Sequence, residues 1–85
     1  MKTHRQFDGT KIRETREELG WSRPDLVLKM LDQGLRVSEG TIINWESGET
    51  SPGVDDLAIL SMVLGKPIIY FFVSQGELND QVKNG

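Results

Sequence analysis

The sequence predicts an all-α fold, a compact domain of five short helices. Three observations carry this expectation. Apolar residues recur at helical spacing and no run alternates with the period of a strand. Glycines and prolines fall between the apolar runs as stops and starts. A chain of 85 residues leaves room for one core and not for two.

The first helix begins near Asp8-Gly9-Thr10 and ends at Gly20, with Ile12, Arg16 and Leu19 on one face. Asp8 or Thr10 serves as its cap, and Gly20 suits the position after its last turn. Ser22-Arg23-Pro24-Asp25 starts the second: a capping serine, then a proline in the first turn, where no backbone donor is missed. Leu26, Met30 and Val27 turn inward, and Gly34 ends the helix after Asp32 or Gln33. Ser38 caps a third helix through Ser47, with Thr41, Ile42 and Trp45 spaced for burial and Gly48 as its stop. Pro52-Gly53 opens the fourth, whose inward stripe is Leu57, Leu60, Ser61 and Leu64, before Gly65. Pro67 starts a short fifth helix, Ile68–Val73. The domain is thus expected over residues 7–73, between a flexible tail at 1–6 and a polar tail at 74–85. Helices of about ten residues are not stable alone in water, so tertiary packing must hold them.

Composition excludes several classes. The absence of cysteine removes disulfides and thiolate metal sites and fits a cytoplasmic location. The most apolar stretch, residues 67–73, is far shorter than the roughly 20 residues that span a bilayer. The N-terminus has no signal-peptide apolar run. No catalytic constellation appears: the one histidine is His4, in the expected tail, and there is no phosphate loop, nucleophile elbow or metal-ligand spacing. Glu17-Glu18 and Asp55-Asp56 are solvated helix faces. The expectation is a non-enzyme without cofactor, metal or small-molecule effector.

Charge is distributed unevenly. The formal net charge is −3, the wrong sign for an indiscriminate polyanion binder. Residues 1–36 nevertheless carry +2, and residues 37–85 carry −5. A phosphate-facing surface therefore requires the fold to gather the N-terminal basic residues on one side.

The segments Ser22-Arg23-Pro24-Asp25-Leu26-Val27 and Val37-Ser38-Glu39-Gly40-Thr41-Ile42-Ile43-Asn44-Trp45-Glu46-Ser47-Gly48, with Pro52 beyond, carry the functional signal. They resemble the helix-turn-helix of the XRE family, which includes the lambdoid phage repressors and Cro proteins. The resemblance covers about residues 7–72, and Leu64-Gly65-Lys66-Pro67-Ile68 through Phe71-Phe72 is similar to the family's closing helix. It implies a lambda-repressor-like DNA-binding domain whose third helix enters the major groove while the second crosses the backbone. The N-terminus of the second helix would offer free N–H groups to a phosphate.

On that resemblance, Glu39, Gly40, Ile43 and Asn44 face the bases. Asn44 pairs with adenine, Glu39 accepts from a cytosine amino group, Gly40 admits close approach and Ile43 meets a thymine methyl. Glu39 at a helix start also stabilises its own helix. Arg23, where the family usually carries glutamine, is the leading phosphate contact; Arg36, Ser38 and Thr41, with Lys11 or Arg13, are further candidates. Arg16 and Glu46 match an ion pair of the family that orients the third helix, and Trp21 and Trp45 stand at aliphatic core positions.

The sequence departs from the family pattern in three places. The link Leu31–Arg36 makes the connection about five residues longer than the usual tight turn, a thermodynamically mild insertion. Val27 replaces a small residue, usually alanine. Glu49 stands where Lys or Arg is common. With Glu39 and Glu46 it makes the reading face acidic, which predicts modest and strongly salt-dependent affinity.

Ile59, Met62, Ile69 and Tyr70 occupy outward positions where the family is usually polar, which implies a homodimer interface on the last two helices. Two reader helices would then meet successive major grooves about 34 Å apart on an inverted-repeat operator in double-stranded DNA. The function implied is a sequence-specific transcriptional regulator, whether a Cro-type repressor, a restriction–modification controller or an antitoxin. The alternative is a protein-interaction module or antirepressor that keeps the fold without binding DNA, and the acidic balance speaks for it.

Overall fold

The computed structural model describes residues 5–74, which form β1 (Arg5–Phe7), α1 (Thr10–Glu18), α2 (Arg23–Asp32), α3 (Glu39–Ser47), α4 (Val54–Leu64), a 3₁₀ turn (Ile68–Phe71) and β2 (Phe72–Ser74). Local chemistry accounts for the helix ends. At α1, the Asp8 carboxylate accepts from the Thr10 N–H at 3.1 Å and from the Thr10 hydroxyl at 2.6 Å, so Asp8 supplies the start signal. The helix closes with paired reverse bonds, Gly20 N–H to the Glu17 carbonyl and Trp21 N–H to the Arg16 carbonyl, both 3.0 Å. That closure needs the left-handed φ of +77° that Gly20 adopts.

At α2, Ser22 and Asp25 form a reciprocal capping box: the Ser22 hydroxyl accepts from the Asp25 N–H at 3.1 Å, and the Asp25 carboxylate accepts from the Ser22 N–H at 2.8 Å. The Ser22 N–H, and after it the Ser22 hydroxyl, hold the Asp25 carboxyl below the ordinary carboxylate range. Ser38 caps α3 by accepting from the Thr41 N–H at 3.1 Å.

The buried core joins all four helices: Ile12 from α1, Leu26 and Met30 from α2, Ile42 and Trp45 from α3, Leu60 and Leu64 from α4, closed by Phe71. Trp21 and Val27 pack against it half-buried. Burying these side chains is the main force holding helices too short to persist alone. Gly9 is itself buried, and the start of α1 meets the end of α3 there: a Cβ on Gly9 would collide with the Trp45 carbonyl oxygen.

The all-α class holds, with four α-helices among the described residues. The expected fifth helix, Ile68–Val73, is instead a single 3₁₀ turn that gives way to strand β2, with Phe72 extended at φ −118° and ψ 138°. The segment Ile-Ile-Tyr-Phe-Phe-Val is rich in β-branched and aromatic residues, which favour an extended backbone when a partner strand is at hand. That partner is β1, antiparallel, with Phe7 opposite Phe72 and their rings edge-to-face at 5.8 Å. Arg5, Gln6 and Ser74, expected in the tails, belong to this ribbon; the rest of both tails, His4 included, lies outside the described residues.

Two further expectations are corrected. Leu19 is 45% exposed, because α1 ends at Glu18 and the chain turns there; Thr15 takes the buried place on that face. The second helix ends at Asp32, as its stop signal at Gly34 predicts, so Leu31 and Asp32, counted in the link to α3, lie in the helix. The connection Gln33–Ser38 still exceeds the roughly three to four residues of a typical helix-turn-helix turn.

Candidate nucleic-acid interface

Helix α3 is divided into two faces. Ile42, Trp45 and Glu46 are buried, whereas Glu39, Gly40, Ile43 and Asn44 are exposed. Residues 39, 40, 43 and 44 fall one turn apart in pairs, so they share a surface. The structure thus brings the four candidate base readers together. Among the described residues no hydrogen bond engages the Glu39 carboxylate or the Asn44 side-chain amide, although the Asn44 carbonyl accepts from the Thr50 N–H at 3.2 Å. Nothing but the Ser38 hydroxyl oxygen, at 3.8 Å, lies near a Cβ built on Gly40, so the surface there is open.

The buried face of α3 is anchored by charge. Glu46 Oε2 accepts from Arg16 Nε at 2.8 Å, and Glu46 Oε1 accepts from Arg16 Nη2 at 3.3 Å. Arg16 Nη1 donates to the Trp21 carbonyl at 2.8 Å. These are the bidentate geometry and extra acceptor that a buried guanidinium requires. The pair ties α1 to α3 and fixes the azimuth at which α3 shows its outer face.

Arg23 carries a bond that the sequence did not announce. As the leading phosphate candidate it is also held from within: its Nε donates to Glu46 Oε1 at 2.9 Å, so it belongs to the same cluster. Its side chain remains 35% exposed. The expectation of free N–H groups at the start of α2 is also revised. The capping box engages the Ser22 and Asp25 N–H groups, and Pro24 has none, which leaves the Arg23 N–H as the uncommitted donor of that first turn among the described residues.

The other phosphate candidates are spread around the start of α3. Ser38 and Arg36 are exposed and Thr41 is half-buried. The Ser38 and Thr41 hydroxyls lie 3.0 Å apart, so one proton joins them and the other stays available to an outside acceptor. Of Lys11 and Arg13, Lys11 is committed: its ammonium sits 4.9 Å from the Tyr70 ring centre, as does that of Lys66. Arg13 is exposed.

The proposed partner surface is mixed. Met62 and Ile69 are exposed large apolar residues, whereas Ile59 and Tyr70 are half-buried against the core. Tyr70 is further covered by its two lysines and by the edge of Phe71, at 5.3 Å. Val54, which sequence reasoning did not single out, is the most exposed large apolar residue among the described residues, and with Ala58 and Met62 it forms a stripe at four-residue spacing along α4.

Two other features escaped the sequence reading. The Arg23–Glu46 bond depends on how the start of α2 meets α3, and no local pattern announces it. The close approach at Gly9 had a faint signal, a glycine where a helix start favours a capping side chain. Among the described residues there is no cluster of acidic or histidine side chains able to hold a metal, and no helix is long and apolar enough to cross a membrane.

A protein-family model for the helix-turn-helix matches residues 12–71. Comparison with curated proteins and with solved structures returned no match. The matched span runs from Ile12, the first core residue of α1, to Phe71, the residue that closes the core, and takes in the whole of α2 and α3. The chain belongs to the helix-turn-helix family of the XRE, Cro type, whose members are DNA-binding regulators of transcription.

Proposed function

We propose that this chain is a sequence-specific transcriptional regulator that binds an inverted-repeat operator as a homodimer and acts by occupying it. The observation that carries the reading is the division of α3: Glu39, Gly40, Ile43 and Asn44 outward, with Trp45 and Glu46 locked inward. A rigid helix with an uncommitted amide and an apolar side chain on one face suits the major groove, where adenine edges and thymine methyls are read. Arg23, Arg36, Ser38 and Thr41 serve the phosphates and fix the register. Met62 and Ile69, with Val54, supply the apolar area for a second copy, and a two-fold axis there sets two α3 helices on successive grooves.

A second reading, a protein-interaction module without DNA binding, is favoured by exposed Glu39 and Glu49 at the edge of α3. Duplex affinity measured against salt separates the two. The proposed function gives a log–log slope of clearly negative sign, about −0.9 for each phosphate neutralised. Asn44→Ala keeps that slope but loses about 1–3 kcal/mol of discrimination between the preferred site and a site altered at the contacted base pair. A flat slope supports the interaction module instead.

A further inference from the structure

Two guanidinium groups converge on one carboxylate at the junction of α1, α2 and α3. Glu46 is 3% exposed in its side chain and Arg16 7%, so both lie inside, while Arg23 alone reaches solvent. Arg16 fills both carboxylate oxygens and the Trp21 carbonyl. Arg23 is held by Nε alone, and no hydrogen bond among the described residues engages its two Nη groups. At the Glu46 carboxylate two guanidinium groups meet one anion, the exposed Glu17 carboxylate lies 4.0 Å from Arg16 Nη2 on the other side, and Arg23 is the cation that reaches the surface. An arginine gripped at Nε has lost most of its rotamer freedom and leaves the Nη edge free, which is the edge that meets a phosphate in a two-point contact.

We propose that Glu46 is a positioning residue for DNA binding: by accepting from Arg23 Nε it sets the Arg23 guanidinium in advance to clamp a backbone phosphate at the start of α2. Arg16 fixes the carboxylate from within, so the same cluster orients both the reader helix and the phosphate clamp. Because the Ser22–Asp25 capping box engages two of the backbone donors there and Pro24 has none, the Arg23 side chain, with its own N–H beside it, carries this contact. The inference rests on the reading that Arg23 meets a phosphate.

The test compares the full chain with Arg23→Lys and Arg23→Ala on a mixed-sequence 30-base-pair duplex, reading Kd across a salt series and the thermal midpoint without DNA. Lysine keeps the charge but cannot hold Glu46 and fork a phosphate together. Arg23→Lys is expected to weaken binding about threefold to tenfold, the cost of ordering a mobile side chain, with the salt slope unchanged. Arg23→Ala is expected to weaken it further and to reduce the slope by about one. Positioning is read directly by Glu46→Gln, which puts a donor NH2 in place of one of the two oxygens that Arg16 and Arg23 occupy. Assayed below its own melting temperature, it is expected to weaken binding more in the parent than in the Arg23→Ala background, where only its hold on α3 through Arg16 is left to lose. Arg23→Lys binding as tightly as the parent overturns the positioning role while leaving the phosphate contact standing. Equal loss from Glu46→Gln in both backgrounds also overturns it, since that is what a merely structural carboxylate gives. Arg23→Ala with unchanged affinity and slope removes the phosphate reading and the proposal with it.

Discussion

Replacing Glu46 by alanine is expected to lower folding stability by about 3–5 kcal/mol, because it leaves the Arg16 guanidinium buried without its counter-charge. The magnitude turns on burial: an exposed pair contributes under about 1 kcal/mol, and this one is buried on both sides. A chain of this length has a total stability of roughly 4–13 kcal/mol, so a large share is lost. The thermal midpoint should fall by at least about 12 °C, read by circular dichroism in matched buffers. Arg16→Met combined with Glu46→Leu should cost less than Glu46→Ala alone, since it removes the stranded charge along with its partner. A loss under about 1 kcal/mol in Glu46→Ala would show that the cluster does not hold α3 in place.

Gly9→Ala is expected to cost at least about 3 kcal/mol, the top of the range for overpacking. Local preference points the other way. Gly9 has φ −65° and ψ −23°, a conformation alanine favours, so the backbone alone would gain from the change. The obstacle is the Trp45 carbonyl, whose carbon lies 2.9 Å and that of Glu46 3.1 Å from the new Cβ. These are backbone atoms inside α3 and cannot rotate aside, so α1 and α3 must separate at the junction that Arg16 and Glu46 clamp. Gly40→Ala is the control: its Cβ meets open space, and a helical glycine replaced by alanine should gain about 0.5–1 kcal/mol. Denaturant unfolding of both variants checks the pair, and a Gly9→Ala protein as stable as its parent refutes the close packing.

The parts legible in the sequence were those written in local chemistry. Ser22 with Pro24, Gly34, Ser38 and Gly48 bracket α2 and α3, and the structure ends those helices where these residues stand. The core followed from spacing at Ile12, Leu26, Met30, Ile42, Trp45, Leu60 and Leu64. Three-residue strands show no period long enough to detect, so the ribbon was missed and its C-terminal half was read as helix. Leu19 failed because helical spacing was extended one residue past Glu18, where α1 ends ahead of the turn at Gly20. For the candidate site, the outward set on α3 follows from the 3.6-residue repeat once Ile42 and Trp45 are placed inside. The Arg23–Glu46 bond joins residues 23 positions apart and is set by tertiary packing alone, so no reading of either segment reveals it. The placement of Lys11 over the Tyr70 ring is likewise set by packing and has no local signal.

Selection of bound fragments from random duplex DNA, using the full chain at near-physiological salt, most directly tests whether the outer face of α3 reads bases. Recovery of an inverted repeat with half-site centres about 10 base pairs apart, one helical turn, is the outcome expected of two such helices on a two-fold axis. A recovered pool with no enriched sequence would contradict it.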